Sequence, residues 1–491
     1  MTRRQVTVVG AGPAGLAAAH TALSAGADVT LIDAEEQPGG QYHRTLPDAC
    51  EASRPETSRP DRPAFERRRR QVLDHPRCTW WPQTVVWALE RPAAGEPGAP
   101  RVHVLRGPAD GTDRERRVLA PDALVLATGA HDRVLPFPGW ELPGVYTGGA
   151  AQALVKGERI VVGERVVVAG TGPFLLPVTA SLLEAGSRVL EVLEANGPAA
   201  LARGWSRRPW QLAGKAGEFA AYAGTLARHR VPYRIGRAVI EARGEGRVEE
   251  IVSARLRPDW SVVPGSRRTT PVDAVCVTHG FSPQLELALA AGCALRQVYG
   301  GEFVDVDDRQ RTSRPAVFAA GEITGVAGEP AARAEGALAG WFAAGGRTGT
   351  AALAGLRRRR DRGRAFAERL ASAHPVGTAW HGWLRPETVI CRCEETDYAS
   401  LCRSAAEDAG HGARAAKLET RAGLGPCQGR ICGPTVAELT SRLRGAPKAG
   451  RFHDLPGEIP VEGQPPASCH RRPITQPVRL GELAAPAEPD A

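Results

Sequence analysis

Four cysteines in the C-terminal part carry the chemistry that can be read first: Cys391 and Cys393 in VICRCEE, then Cys427 and Cys432 in GPCQGRIC. Two close pairs of thiolates brought together by a fold can chelate a centre that neither pair holds alone. Structural zinc favours pairs two to four residues apart, commonly C-x2-C, because that loop aims both sulfurs at one tetrahedral ion. The spacing here is C-x-C and then C-x4-C, which suits a larger centre in which each of two irons takes two thiolates. The expectation is a [2Fe-2S] centre, with zinc and ordinary buried cysteines as the alternatives. Arg392 and Arg430 stand beside these thiolates, either to compensate negative charge or simply exposed to solvent.

The elements that would feed electrons to such a centre are at the other end. In QVTVVGAGPAGLAAAHTALSAGADVTLIDAEEQPGGQ, a buried strand, Gln5 to Val9, runs into Gly10, Gly12 and Gly15 at GxGxxG spacing, and an alanine-rich helix follows. Gly10 permits the turn, Gly12 lets backbone approach a pyrophosphate, and Gly15 lets helix pack on strand. The helix N-terminus, with Pro13 and Ala14, offers unpaired N–H groups to phosphates. Asp33 ends the second strand, where a carboxylate can accept hydrogen bonds from a ribose. Gly40 and Gln41 follow in the GGQ turn.

Two later segments favour FAD as the dinucleotide. TSRPAVFAAGEITG reads as a strand, Ala316 to Ala320, ending in Gly321-Glu322, and resembles the second FAD motif of flavoproteins with two dinucleotide domains. The acidic residue of that motif, usually Asp, takes the ribityl chain; here it is Glu322. DALVLATGA, with Thr128 and Gly129, resembles the ATG strand that closes the same FAD domain. A second dinucleotide unit lies between, ERVVVAGTGPFLLPVTASLLEAGSRVLEVLEA, with Gly170 and Gly172 but Leu175 where the third glycine belongs. A leucine at that helix–strand contact should push the helix outward and alter the phosphate cradle. The fold is expected to survive, and NAD or another adenine nucleotide is left open there. Glu194 would favour NAD over NADP.

Length and composition fit this plan. At 491 residues with 42% hydrophobic content the chain is expected to hold two or three globular domains. The absence of eighteen consecutive apolar residues argues against a membrane span. A first strand at residue 5 leaves no expected signal peptide, and free thiolates fit the cytoplasm. The net charge of +9 comes almost wholly from arginine, since only four lysines occur, at 156, 215, 417 and 448. That reads as a codon-composition effect. The runs Arg67–Arg70 and Arg357–Arg360 read as solvated helix faces or contacts for an acidic partner; no nucleic-acid signature accompanies them. The proline-rich stretch from Thr45 to Pro63 reads as a surface excursion. Cys276 and Cys293 read as core residues, and Cys402 as facing a local core. Cys50, Cys78 and Cys469 have no partner at recognisable spacing, so thiol redox chemistry is not expected. No general base for substrate oxidation stands out; His131, beside the ATG strand, is one candidate, a structural loop histidine being the alternative.

Taken together, GGQYHR, LVLATGAHDRVLPFPGWELPGVYTGGAAQAL, AGTGPFLL, TSRPAVFAAGEITG, CRCEE, GPCQGRIC and RRPITQPVRLGELA resemble the α-type subunits of multimeric amino-acid dehydrogenases. This group includes the A subunits of opine oxidases, the B subunits of hydrogen cyanide synthases and the α subunits of D-hydroxyproline dehydrogenases. The resemblance implies two interleaved Rossmann-like domains of the pyridine nucleotide-disulfide oxidoreductase type and a small helical [2Fe-2S] domain like bacterioferritin-associated ferredoxin. It divides the chain into 1–145 (FAD, first part), 146–300 (second dinucleotide domain), 301–350 (FAD, second part), 385–445 (cluster) and 446–491 (extended tail). It further implies a hetero-oligomer with a D-amino-acid-oxidase-like β subunit that oxidises the amine, a small ferredoxin-like subunit being a further candidate partner. The alternative is a self-sufficient NADH-dependent flavin reductase with the same cluster.

Overall fold

A computed structural model describes residues 3–46, 61–93, 96, 98–206, 216–298, 301–348, 351–407, 412–444, 470–472, 474–484 and 488–489. Most of the Thr45–Pro63 excursion, together with Cys50 and Cys469, lies outside the described residues. The order begins β1 (Gln5–Val9), α1 (Pro13–Ser24), β2 (Asp28–Ile32), α2 (Arg62–Leu73) and β3 (Cys78–Trp81). An antiparallel excursion follows, β4 (Thr84–Glu90), β5 (Arg101–Arg106) and β6 (Glu115–Leu119), before β7 (Ala123–Leu126) pairs in parallel with β1. Val6, Val8, Leu124 and Leu126 are fully buried, as strands covered on both faces require.

A short strand, β8 (Ala130–Asp132), leads out of this sheet into a second one. Its parts are β9 (Val145–Thr147), α3 (Gly148–Ala153), β10 (Arg165–Gly170), α4 (Leu175–Glu184), β11 (Arg188–Glu194), α5 (Pro198–Trp205), α6 (Ala216–Arg228) and β12 (Tyr233–Ile235). A separate antiparallel sheet of β13 (Arg237–Arg243), β14 (Glu250–Arg255) and β15 (Arg268–Pro271) precedes β16 (Ala274–Thr278), which completes the parallel order β12-β11-β10-β16-β9. Strand β17 (Phe281–Pro283) then pairs antiparallel with β8, so the two crossings between the halves form one ribbon. After α7 (Glu286–Ala290) and the hairpin β18 (Leu295–Val298) and β19 (Gly301–Val304), β20 (Val317–Ala319) joins the first sheet, giving β20-β7-β1-β2-β3.

Helix α8 (Glu329–Ala343) closes the first half by lying on α1. The crossing depends on small residues: a Cβ on Gly336 would overlap the carbonyl oxygen of Ala14, and Thr21 Oγ1 donates to Ala337 O at 2.9 Å. Helix α9 (Ala351–Ala373) follows and carries the second arginine run. That run is not uniformly a solvated face. Arg360 is buried and donates to Asp308 O and Oδ1, both at 3.1 Å, with Asp361 at 2.9 Å. The first run, on α2, does leave Arg67 and Arg70 exposed. Cys276 and Cys293 are buried core residues as expected.

The C-terminal part comprises β21 (Val389–Cys391), β22 (Thr396–Asp397), α10 (Tyr398–Glu407), α11 (Gly412–Thr420), α12 (Gly433–Arg444), α13 (Leu480–Ala484) and β23 (Glu488–Pro489). Its core joins Ile390, Leu401, Val436 and Leu439 to Trp260, Trp380 and Trp383, with Cys402 packed against it. Where it is described, the C-terminal tail packs on the first half: Thr475 bonds to Val86 O and Trp87 O, and β23 pairs with β6. No helix among the described residues is long and apolar enough to cross a membrane.

Candidate functional site

The first glycine turn is built for close approach. A Cβ on Gly15 would overlap the Gly10 carbonyl oxygen, whereas one on Gly12 would meet only Gly40 Cα, at 3.9 Å. Space therefore remains above Gly12, walled by the GGQ turn, with the exposed Gln41 beyond. Pro13 is the first residue of α1, where its missing N–H is no loss. Asp33 Oδ2 accepts from Ala11 N at 2.5 Å and Oδ1 from Glu35 N at 2.9 Å. Burial raises the Asp33 pKa against these hydrogen bonds. No side chain among the described residues bonds to it, so acceptor capacity is left for a ligand.

The two later motifs converge on this turn through β7 and β20, neighbours in the sheet. Thr128 Oγ1 is tied to Gln284 O at 3.0 Å, which makes it an anchor of the crossing ribbon, while Gly129 has open space where a side chain would stand. Gly321 N donates to Glu335 Oε2 at 3.0 Å, and Thr324 Oγ1 to the same oxygen at 2.6 Å. Glu335 is a buried carboxylate on α8 that sequence reasoning missed. Glu322 has no hydrogen-bond partner among the described residues; burial pushes its carboxyl up to about 7, and the Asp132 carboxylate adds to this. Asp132 also went unnoticed: it accepts from Thr147 Oγ1 at 2.5 Å and Gly149 N at 3.0 Å. The open turn, unpaired Asp33 lone pairs and unpartnered Glu322 fit a bound dinucleotide.

The second turn differs in its helix start. Leu175 is fully buried and is the first residue of α4, whereas α1 begins at Pro13, two positions earlier relative to the glycines. Leu16 N bonds to Gly12 O, four residues back, but Leu175 N bonds to Gly172 O, three back. The helix start differs between the two turns, while the space beside Gly172 stays open. Glu194 is fully buried and accepts from Gly172 N at 2.8 Å and Asn196 N at 2.9 Å. Burial would raise its pKa, yet these bonds and one from His374 outweigh it and hold the carboxyl low.

The four C-terminal cysteines form a chain of contacts. Cys432 neighbours Cys391 and Cys427, and Cys427 neighbours Cys393. The neighbouring Cys432 thiol holds Cys391 and Cys427 low, while Cys432 itself is raised. Gly423 N reaches Cys391 Sγ at 3.5 Å, and Gly425 presses against Cys393, where a Cβ would overlap. Cys393 is exposed; Cys391 and Cys432 are buried. Among the described residues, no group of three or more His, Cys, Asp or Glu side chains is arranged to hold a single metal ion.

The PFPGW segment docks this cysteine unit. Trp140 Nε1 donates to Val389 O at 2.6 Å, Thr435 Oγ1 to Val134 O at 2.9 Å, and Arg133 meets Glu438 at 3.1 Å. Arg392 lies over the Trp140 ring and donates to Glu141 O at 2.9 Å. Arg430 is not simply exposed: it pairs with the buried Glu286 at 3.2 Å, which also holds Arg472 of the tail at 3.3 Å. His131 faces these charges; burial lowers its pKa, and its Nε2 has no partner among the described residues. Glu286, at the start of α7, thus ties the cysteine loop and the tail to the first half, a link that no motif spacing announced.

The chain matches the family described as Pyridine nucleotide-disulphide oxidoreductase over residues 4–339. It is 31% identical to the A subunit of opine oxidase from Rhizobium meliloti, over 98% of this chain and 87% of that one. To the HcnB subunit of hydrogen cyanide synthase from Pseudomonas protegens it is 30% identical, over 89% and 92%. Among solved structures it resembles L-proline dehydrogenase from P. horikoshii, with a TM-score of 0.61, 19% identity, and 98% and 79% of the two chains covered. Thioredoxin reductase of T. acidophilum aligns at a TM-score of 0.50 and 20% identity, over 70% of this chain and 98% of that one. At these identities the structural likeness speaks for the fold.

Proposed function

The chain belongs to the pyridine nucleotide-disulphide oxidoreductase family, in the group of opine oxidase A and HcnB subunits, and is an FAD-dependent oxidoreductase; from that premise we propose that it is the electron-relaying subunit of a multi-subunit amine- or amino-acid-oxidising enzyme. The observation that carries the proposal is the closeness of Cys391, Cys393, Cys427 and Cys432, in a unit packed on the second half and tied through Arg430 and Glu286 to the half that offers an open dinucleotide turn.

In this reading the FAD-binding part is 1–145 with 301–350, the second dinucleotide domain 146–300, and the cluster domain 385–445. A bound flavin accepts two electrons and releases them singly, and a [2Fe-2S] centre carries one at a time, so the pair converts between the two modes. The residues supply placement and charge. Gly10, Gly12, Pro13, Ala14 and Gly15 receive the pyrophosphate at the α1 N-terminus, Asp33 the ribose, and Glu322 the ribityl chain. Gly40, Gln41, Thr128, Gly129 and Gly321 wall the pocket. The four cysteines would hold the iron–sulfur centre through their thiolates, in a module like bacterioferritin-associated ferredoxin. Arg430, held by Glu286, places positive charge three residues from Cys427, which favours the reduced, more negative state.

Substrate oxidation then falls to a partner flavoprotein resembling D-amino-acid oxidases, a small ferredoxin-like subunit being a further partner, in a cytoplasmic hetero-oligomer. The test is anaerobic reduction of the full chain with and without its co-expressed flavoprotein, followed by visible spectra and low-temperature EPR. Reduction of the complex alone, by an amine substrate, is expected. Bleaching of the isolated chain by NADH, with a reduced iron–sulfur signal, would overturn the relay in favour of an NADH-dependent reductase. Cys393→Ser and Cys427→Ser should each abolish bound iron while leaving flavin content unchanged; iron retained in both sinks the cluster assignment.

A further inference from the structure

The acid that ends the second strand of a dinucleotide fold is useful only if it has acceptor capacity for a ribose diol. An ionised carboxylate offers about four lone-pair sites. At Glu194 all are taken: Oε2 accepts from Gly172 N at 2.8 Å and lies 3.0 Å from His374 Nδ1, and Oε1 accepts from Asn196 N at 2.9 Å and Asn196 Nδ2 at 3.2 Å. The carboxylate is 0% exposed. Asp33, at the matching place in the first fold, has backbone partners only.

His374 comes from just beyond α9, 180 residues away in sequence. It is held from both sides. Trp205 Nε1 donates to its Nε2 at 3.2 Å, leaving Nδ1–H to donate to Glu194, and the Trp205 ring stands edge-on to it with centroids 5.6 Å apart. Asn196 is fixed in turn, its Nδ2 donating to Thr171 Oγ1 at 2.7 Å. Beside His374 an apolar cleft of about 280 Å³ runs between Pro173, Leu176, Leu201, Phe219 and Tyr233. The Gly172 turn itself stays open, with no atom within 4 Å of where a side chain would begin.

We propose that His374 is an internal competitor for the ribose position of the second dinucleotide fold, setting specificity against any ligand that needs a diol at Glu194, nicotinamide dinucleotides included. The imidazole makes the contact a ribose hydroxyl would make and is already in place, so a ribose has to displace a charge-assisted hydrogen bond and its Trp205 support. The phosphate turn is retained and the sugar contact is not. This goes beyond the relay reading and does not depend on it.

Binding, with no turnover, provides the test: calorimetric titration of the flavin-loaded full chain with ADP-ribose and with NAD⁺, for the wild type, His374→Ala and Trp205→Phe. The alanine variant should bind ADP-ribose roughly tenfold or more tightly than wild type, because a charge-assisted hydrogen bond no longer competes. Trp205→Phe keeps the ring packing but removes the support, and should gain a few-fold. His374→Asn, which preserves a donor toward Glu194, should stay near wild type. If His374→Ala does not fold, Trp205→Phe carries the test. ADP-ribose affinity that is the same in the wild type and in the folded variants overturns the proposal.

Discussion

The two dinucleotide folds of this chain share a plan and differ in what their acids can still accept. Asp33 is met by the backbone N–H groups of Ala11 and Glu35 and by no side chain, while Glu194 is saturated by Gly172, Asn196 and His374. The glycine turns differ in parallel: α1 starts directly after Gly12, and α4 starts two residues later, at a leucine. A Rossmann topology therefore tolerates an acid whose acceptor sites are filled from within the protein, since strand pairing and helix packing depend on buried apolar side chains and not on that carboxylate.

Transplanting the difference should break the first fold most severely. Gly15→Leu forces a side chain into the Gly10 carbonyl and should abolish FAD retention, read as loss of flavin absorbance in the purified chain; full flavin content would mean the third glycine is not what distinguishes the folds. Gly12→Ala comes next. Its Cβ meets nothing closer than 3.9 Å at an ordinary φ of −69°, so thermal stability of the flavin-free chain should hold while FAD affinity collapses. Asp33→Ala should weaken FAD about 10- to 100-fold, the value of hydrogen bonds to a charged acceptor; Glu194→Gln should leave FAD affinity unchanged, and equal losses in both would erase the contrast.

Smaller effects sharpen it. Glu322 has a folded pKa raised to about 7 from 4.5, so its folded state binds a proton more tightly than the unfolded chain. Its stabilising contribution is full below about pH 4.5 and is lost as pH rises through about 7. Wild type should lose up to about 3 kcal/mol over that window relative to Glu322→Gln, seen as converging melting temperatures at low pH; parallel curves would show that Glu322 does not titrate there. The smallest effect is expected at Gly172→Ala, where φ is +94° and no atom crowds the Cβ. It should lower stability by about 1 kcal/mol through backbone strain, with flavin content intact in the same denaturation experiment.

The turns, both acids and the paired cysteines were legible in the sequence because each is a local pattern whose spacing has a geometric meaning. The family resemblance and the interleaved α/β architecture followed from the order of those patterns. What was not legible are contacts made at long range by residues with no spacing rule. Glu335 fixes the Gly321 turn from inside α8, Glu286 holds Arg430 and Arg472 together, and His374 reaches Glu194 from beyond α9. Only a weak hint existed for the first: a glutamate in an otherwise alanine- and glycine-rich helix has little reason to be there unless something buried needs it. Arg360 shows the reverse error, a charge in an arginine run that turns inward to Asp308.

The interleaving also sets an order of events during synthesis. Thr21 on α1 bonds to Ala337 on α8, 316 residues later, and β20 reaches its place beside β7 only after the whole second sheet has been made. The half begun first is thus finished last. On the ribosome, β1, α1 and β2 wait with an uncovered apolar helix face until α8 emerges, while the second sheet can close in the meantime. Flavin loading belongs to the end of translation, and chains cut short before α8 would expose the alanine-rich face of α1 to aggregation.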